Sequence, residues 1–240
     1  MYAATPRPSV PLQRHQSPPP GAVAIAFVAL FCSGLYFVTS FNGLPYFPPP
    51  NAPAGEIERY FLVRGPQALL CAFFQFGSAI PLAIFAAAVA SRLQFLGVRA
   101  AGIDIARFGS WMSATVIAVS SSIMWTMVQP AVAREPALID GLYFAMFATG
   151  GVGFSVPFGL LIAGVAVPSF FMRLLPRWFT LAGLVIAVVG ELSWLQMVYP
   201  QLLPLIPLTR FPGFIWIIAA GFLLPGRRAR SAPQPSPQHP

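Results

Sequence analysis

The chain has 240 residues, of which 57% are hydrophobic and only 8% are charged. Soluble domains carry about 25% charged residues, so this composition excludes an ordinary soluble fold. The formal net charge is +8, and all fourteen basic residues are arginines. Because the arginines gather near the ends of apolar runs and in the tails, anionic lipid headgroups account for the charge and no nucleic-acid partner is expected.

Long stretches of the chain contain no charged residue at all. Such stretches lie between Gly65 and Ser91, between 108 and 133, and between 141 and 172. Each exceeds the about 20 apolar residues that cross a bilayer. The sequence therefore predicts an all-α polytopic integral membrane protein whose six-helix transmembrane domain covers residues 22–225. The predicted spans are about 22–41, 66–91, 106–129, 141–167, 178–199 and 208–224.

Both ends of the chain are predicted to be disordered cytoplasmic tails. Residues 1–21 and 226–240 are rich in Pro, Gln and Ser and have no apolar periodicity. The first apolar run, about 22–41, is too long for a typical signal-peptide core and lacks a clear cleavage site. We therefore interpret this run as the first membrane span.

The sixth predicted span has the shortest uncharged stretch, sixteen residues between Arg210 and Arg227. A re-entrant segment is the alternative, but the positive-inside rule favours a full crossing. With both termini in the cytoplasm, ten arginines lie inside, and the four outer ones are Arg59, Arg64, Arg134 and Arg210. Exclusive use of arginine is typical of a GC-rich bacterial genome, so the predicted location is the bacterial cytoplasmic (inner) membrane.

Two further patterns predict local structure. The first outer loop, about 42–65, contains PPP and NAPAG segments that favour extended or turn structure. We interpret it as a stiff lid or spacer, with a specific binding loop as the alternative. In the fourth span, small residues recur every four positions and predict close helix packing, and Pro157 predicts a kink. The small residues are Gly151, Ser155, Gly159 and Ala163.

The residue inventory offers little for catalysis. The only histidines are His15 and His239, both in the predicted tails, so bis-histidine haem, intramembrane zinc and serine–histidine dyads lack a ligand or base. Five of the six acids lie in predicted loops or at span ends. The sequence therefore predicts no catalytic residue, no metal site and no cofactor, and a membrane enzyme is the last-ranked of the functional interpretations.

Glu191 is the sixth acid, and it is predicted to lie within the membrane. It follows Trp178 by thirteen residues, which is about 20 Å along a helix. A carboxylate at that depth is a functional-site hypothesis. No arginine is expected at comparable depth, so a protonated carboxyl that joins helices by hydrogen bonds is the structural alternative. The functional version is an outward-open polar pocket formed by Glu191, Gln75, Tyr36, Ser121 and Thr149.

The stretch RLLPRWFTLAGLVIAVVGELSWLQMVYP, continuing to LTRFPGFIWIIAAGFLLP, resembles the C-terminal part of small bacterial multi-pass membrane proteins of unknown function. A Leu-Pro-Arg turn before the fifth span and an Arg-Phe…Trp pattern at the last helix carry this resemblance. It covers about residues 173–225. The resemblance implies a multi-pass helical fold and brings no activity or catalytic residue.

Three functions of different classes fit the sequence. The leading prediction is a structural or regulatory protein that acts through a membrane-protein partner or as a homo-oligomer in the lipid bilayer. The second is a carrier or binder of a small lipophilic or cationic molecule at the pocket around Glu191. The third is an enzyme, which would have to depend on Glu191 alone because no nucleophile, base and metal are found together.

Overall fold

The computed structural model describes residues 12–53 and 55–229. The tail predictions for residues 1–11 and 230–240, which include His239, fall outside this part of the chain. The helices are α1 (Pro20–Val38), α2 (Glu56–Phe95), α3 (Gly102–Met127), α4 (Pro136–Gly150), α5 (Val152–Phe171), α6 (Arg177–Leu192) and α7 (Leu205–Leu223). Short 3-10 turns follow α1 and α6, and two three-residue strands, β1 (Leu12–Arg14) and β2 (Arg227–Ala229), flank the helices.

The described fold is predominantly helical, and five of its helical segments are long and apolar enough to cross a membrane. They are Pro20–Val38, Glu56–Phe95, Pro136–Phe171, Arg177–Met197 and Pro200–Leu223. This confirms the all-helical prediction and is consistent with a membrane-embedded protein. The third predicted span forms α3, a helix of 26 residues that is not among the five. It is rich in serine, which lowers its hydropathy.

Helix α2 is longer than the predicted second span. Its 40 residues correspond to about 60 Å at 1.5 Å per residue, which exceeds a bilayer. Arg64 has non-helical dihedral angles (φ −111°, ψ 20°) and divides off the first part, which starts at Glu56. The loop predicted for 42–65 is therefore helical in its last part. Glu56 and Glu58 lie in the first helical turn, where carboxylates are stabilised by the helix dipole.

The fourth predicted span is divided at a glycine pair. Helix α4 ends at Gly150, α5 begins at Val152, and Gly151 between them has φ −86° and ψ −92°. Two consecutive glycines offer little resistance to leaving the helical conformation. The described backbone is helical through Pro157, and the division of the span into two helices lies six residues earlier, at Gly151.

Close backbone contacts hold α5 against its neighbours. A Cβ placed on Gly164 of α5 would overlap the backbone of Ala106 in α3, and one placed on Gly109 of α3 would overlap α5. On the other side of α5, a Cβ on Gly190 would lie 3.0 Å from the Ser155 carbonyl oxygen. Small residues therefore bring α3, α5 and α6 together, as the small-residue pattern of this span predicts.

An aromatic cluster forms the middle of the core around Phe214 of α7. The Phe214 ring centroid lies 5.1 Å from that of Phe31 and 5.2 Å from that of Phe27, both on α1. Phe154 and Phe158 of α5 also pack against it. The cluster therefore joins α1, α5 and α7 in one apolar core.

The two ends of the described chain pair with each other. Strand β1 runs antiparallel to β2, with Gln13 opposite Arg228, and α1 begins at Pro20, before the predicted residue 22. Residues 12–14 and 227–229 thus form strands, and residues 20–21 begin α1, within the ranges predicted as tails. The composition is polar, but backbone donors and acceptors of each segment are satisfied by the other, which a single-segment pattern does not show.

Candidate ligand-binding site

A cavity of about 550 Å³ lies between α1, α2, α3, α4 and α7. Most of its wall is apolar. Its polar side chains are those of Thr39, Tyr46, Gln75, Ser120 and Arg210. The volume falls in the range of small-molecule sites, which are mainly apolar with a few polar groups that orient the ligand.

Arg210 is the one charged residue among those that line the cavity. It lies in the second turn of α7, and its Nη2 donates a hydrogen bond to the Gly150 carbonyl oxygen. Its Cζ is 5.2 Å from the ring centroids of both Phe31 and Phe154. Cation–π contact on two rings stabilises a guanidinium that is removed from water.

The helix break provides the acceptor for Arg210. The last carbonyl groups of a helix have no intrahelical partner, and the end of α4 at Gly150 lies inside the bundle. Arg210 satisfies the Gly150 carbonyl, and Ser120 Oγ donates to the Met146 carbonyl at 2.9 Å. A cation at a helix C-terminus also interacts favourably with the helix dipole.

The guanidinium retains unused hydrogen-bonding capacity. Its Nε is buried and has no hydrogen-bond partner among the described residues. An arginine carries five N–H donors, and a buried donor without an acceptor costs about 1–3 kcal/mol, more if charged. Arg210 lines the cavity, so an anion bound there would lie beside the guanidinium and neutralise its charge.

The outer loop contributes to the cavity wall. Tyr46 and Phe47 of the segment between α1 and α2 line the cavity. The segment is held in place by Arg64 Nη2, which donates to the Gly43 carbonyl at 2.7 Å, and by the Tyr143 hydroxyl, which donates to the Pro48 carbonyl at 2.5 Å. These bonds give the loop a fixed position over one end of the cavity.

The predicted pocket residues are distributed over different surroundings. Gln75 lines the cavity, but Tyr36, Ser121, Thr149 and Glu191 are not among its described lining residues. Tyr36 is 53% exposed. The Ser121 hydroxyl donates to the Ile117 carbonyl and the Thr149 hydroxyl to the Ala145 carbonyl, each at 2.8 Å. The structure therefore brings only Gln75 of this set to the cavity.

Glu191 lies against α5 and not in the cavity. Its Oε1 is buried without a hydrogen-bond partner among the described residues, and it would lie 3.1 Å from a Cβ on Gly159. A Cβ on the adjacent Gly190 would lie 2.9 Å from Cγ2 of Thr209, which places Glu191 and Arg210 at a similar level. The expectation that no arginine lies at this depth was therefore wrong.

The position of Arg210 follows from the residue at which the last helix, α7, begins. Helix α7 begins at Leu205, three residues before the predicted start at 208, so Arg210 is inside the helix and not at its outer end. Its guanidinium points to α4 and makes no ion pair with Glu191, since the described residues contain only the Arg107–Asp104 pair. The Gly150–Gly151 pair was the sequence signal that could have indicated a break and a site beside it.

Within residues 12–53 and 55–229, no three His, Cys, Asp or Glu side chains are grouped so that they could hold a metal ion.

Comparisons with known proteins add no function. No family model matches this chain, and no curated protein or solved structure matches it either. The resemblance of residues 173–225 to multi-pass proteins therefore receives no support from these comparisons.

Proposed function

We propose that the chain is a six-span membrane protein that binds a lipophilic carboxylate in the cavity at Arg210. The observation that carries this proposal is the part-buried Arg210 guanidinium on the wall of a largely apolar cavity, where it is the one charged residue among the described lining residues. A carboxylate fits the fork of N–H donors that arginine presents. The apolar wall, which includes Phe31, Leu35 and Met124, suits a hydrocarbon tail.

The helix break supports the same proposal. Irregular backbone at membrane depth is tolerated where it is buried in protein or lines a cavity, and ligand sites of transporters often form at discontinuous helices. Gly150 and Gly151 both line the cavity. The break therefore supports a ligand site more directly than it supports a purely structural role.

The six-span topology treats α3 as a span and α4 with α5 as one broken span. Helix α3 packs against both α2 and α5. Its hydroxyls donate to carbonyl groups: Ser110 to Leu82, for example, and Ser113 to Gly109. Polar groups that are satisfied in this way can lie in hydrocarbon. The arginine asymmetry supports cytoplasmic termini in a bacterial inner membrane, and it strengthens when Arg210 leaves the outer set.

Two interpretations of the sequence stay as alternatives. A pocket around Glu191 would bind a cation, which is the opposite charge preference from the Arg210 cavity. A structural or regulatory role through membrane partners predicts a co-purifying protein, whereas the proposed function predicts a co-purifying small acid. Native mass spectrometry of the gently extracted protein distinguishes these outcomes.

The direct test is ligand binding to the protein in nanodiscs. Decanoate is expected to bind, while decanol and decyltrimethylammonium bind weakly, as measured by isothermal titration calorimetry. Arg210→Gln is expected to reduce decanoate affinity roughly 10- to 100-fold, because charge-assisted hydrogen bonds contribute about 1.5–3 kcal/mol. The matched control is Arg59→Gln, which removes an exposed arginine of the outer region and should leave affinity unchanged.

Two further variants separate the effect of Arg210 on ligand binding from any effect on folding. Arg210→Lys keeps the charge but loses the bidentate fork, so intermediate affinity is expected. Gln75→Leu removes a polar group from the cavity wall and leaves the Arg210–Gly150 bond intact, and a several-fold loss of affinity is expected. Equal affinity of the wild-type chain for decanoate and decanol would contradict the proposal.

Glu191→Gln is expected to leave decanoate affinity within about twofold of wild type, because Glu191 does not line the cavity. The same calorimetric titration measures this. A different outcome would be that the wild-type chain binds decyltrimethylammonium and that Glu191→Gln abolishes this binding. The cation pocket around Glu191 would then replace the Arg210 cavity as the functional site.

A further inference from the structure

A second cavity lies beside the paired strands β1 and β2, where the two ends of the described chain meet. It has a volume of about 610 Å³, and its wall is about equally polar and apolar. Three arginines, Arg14, Arg92 and Arg227, line it together with His15 and Ser17. None of its described lining residues is acidic. Positive charges that line one cavity repel one another, and an anion bound between them would relieve that repulsion.

The arginines are contributed by three separate elements. Arg14 and Arg227 are opposite each other in the β1–β2 pair, and Arg92 lies in the last turn of α2. Nη1 of Arg92 donates to the Leu224 carbonyl at 3.4 Å, whereas its Nε is buried and has no partner among the described residues. Arg92 therefore lines the cavity while its Nη1 is anchored at the end of α7.

His15 holds the terminal segment on α2. Its Nε2 lies 3.0 Å from the Ser91 hydroxyl and its Nδ1 lies 2.9 Å from the Ser17 hydroxyl. Its backbone N–H donates to the Gly226 carbonyl at 3.1 Å. Burial and the nearby Arg92 guanidinium lower the pKa of His15 below its ordinary value. Its bonds hold the segment that carries Arg14 against α2, beside the cavity.

We propose that this terminal cavity binds a phosphate group, carried by an anionic phospholipid or by a soluble phosphate ester. Arginine is the side chain best suited to phosphate because its planar fork donates two parallel hydrogen bonds. The cavity lies where α2 and α7 end and α1 begins, which in a membrane-spanning bundle is the level of lipid headgroups. This site is separate from the Arg210 cavity and carries a different ligand class.

The test compares lipid retention by native mass spectrometry after release from nanodiscs of phosphatidylcholine with a minority of phosphatidylglycerol. Wild-type protein is expected to retain phosphatidylglycerol selectively. Arg92→Gln is expected to reduce that retention roughly tenfold. Arg99→Gln removes an exposed arginine just beyond the same end of α2 and is expected to retain lipid as wild type does.

Glycerol 3-phosphate is tested in parallel, as a soluble phosphate ester that could carry the phosphate group. If it raises the unfolding temperature of wild type but not of Arg92→Gln, the site is supported and its ligand is a soluble ester. Should Arg92→Gln fail to fold, Arg227→Gln in the exposed terminal strand takes its place. Equal losses for Arg92→Gln and Arg99→Gln, or no selectivity for either phosphate probe, would overturn the proposal.

Discussion

Gly164→Leu is expected to destabilise the bundle by about 3 kcal/mol or more, at the upper end of what overpacking costs. A Cβ at this position already overlaps the backbone of Ala106, so no side-chain rotamer relieves the clash and α3 must move away from α5. Unfolding in mixed micelles with increasing SDS, followed by far-ultraviolet circular dichroism, measures the loss.

Gly77→Leu is the matched control for this substitution. Gly77 also lies within a helix, α2, but a Cβ there meets no atom within 4 Å. The same change in helix propensity therefore occurs without a clash, and the midpoint should stay near that of wild type. Similar midpoints for Gly164→Leu and Gly77→Leu would show that the α3–α5 contact does not limit stability.

Phe214→Ala is expected to cost about 2–4 kcal/mol and also to weaken decanoate binding. Lipid is as apolar as the core, so the transfer contribution is small, and the loss comes from the cavity left behind and the broken aromatic contacts. Phe31 touches both the Phe214 ring and the Arg210 guanidinium. Removing Phe214 should therefore loosen the position of Arg210.

The SDS content at the midpoint of unfolding measures the loss of stability, and the calorimetric titration measures the loss of decanoate affinity. Ile215→Ala is the control, because Ile215 is the next residue of α7 and is 72% exposed. It should change neither quantity appreciably. A Phe214→Ala protein that loses stability but binds decanoate as tightly as wild type would show that the aromatic cluster does not position Arg210.

The sequence predicts the helices well because charge-free runs report bilayer thickness directly. It predicts the site poorly because the site depends on where helices break and which way side chains point. Arg210 illustrates this: in the sequence it marks the outer end of a span, but the early start of α7 and the break after Gly150 bring it inside. Glu191 was predicted from the sequence as the candidate site residue, but it contacts α5 and is not among the described residues that line the cavity.

The strands at the two ends of the described chain also could not be predicted from the local sequence. Residues 12–14 and 227–229 have no apolar pattern, so nothing local predicts strands there. Their pairing depends on the proximity of α1 and α7, in which Gly21 lies against Gly221. Only the assembled bundle brings these segments within hydrogen-bonding distance.

The pairing of β1 with β2 constrains how many times the chain between them can cross a membrane. Two strands joined edge to edge cannot lie on opposite sides of a bilayer, so the proposed membrane topology requires an even number of crossings between β1 and β2. The five most apolar segments alone would leave its ends on opposite faces. The proposed topology counts the serine-rich α3 as a sixth crossing, which gives an even number and is compatible with the pairing of β1 and β2.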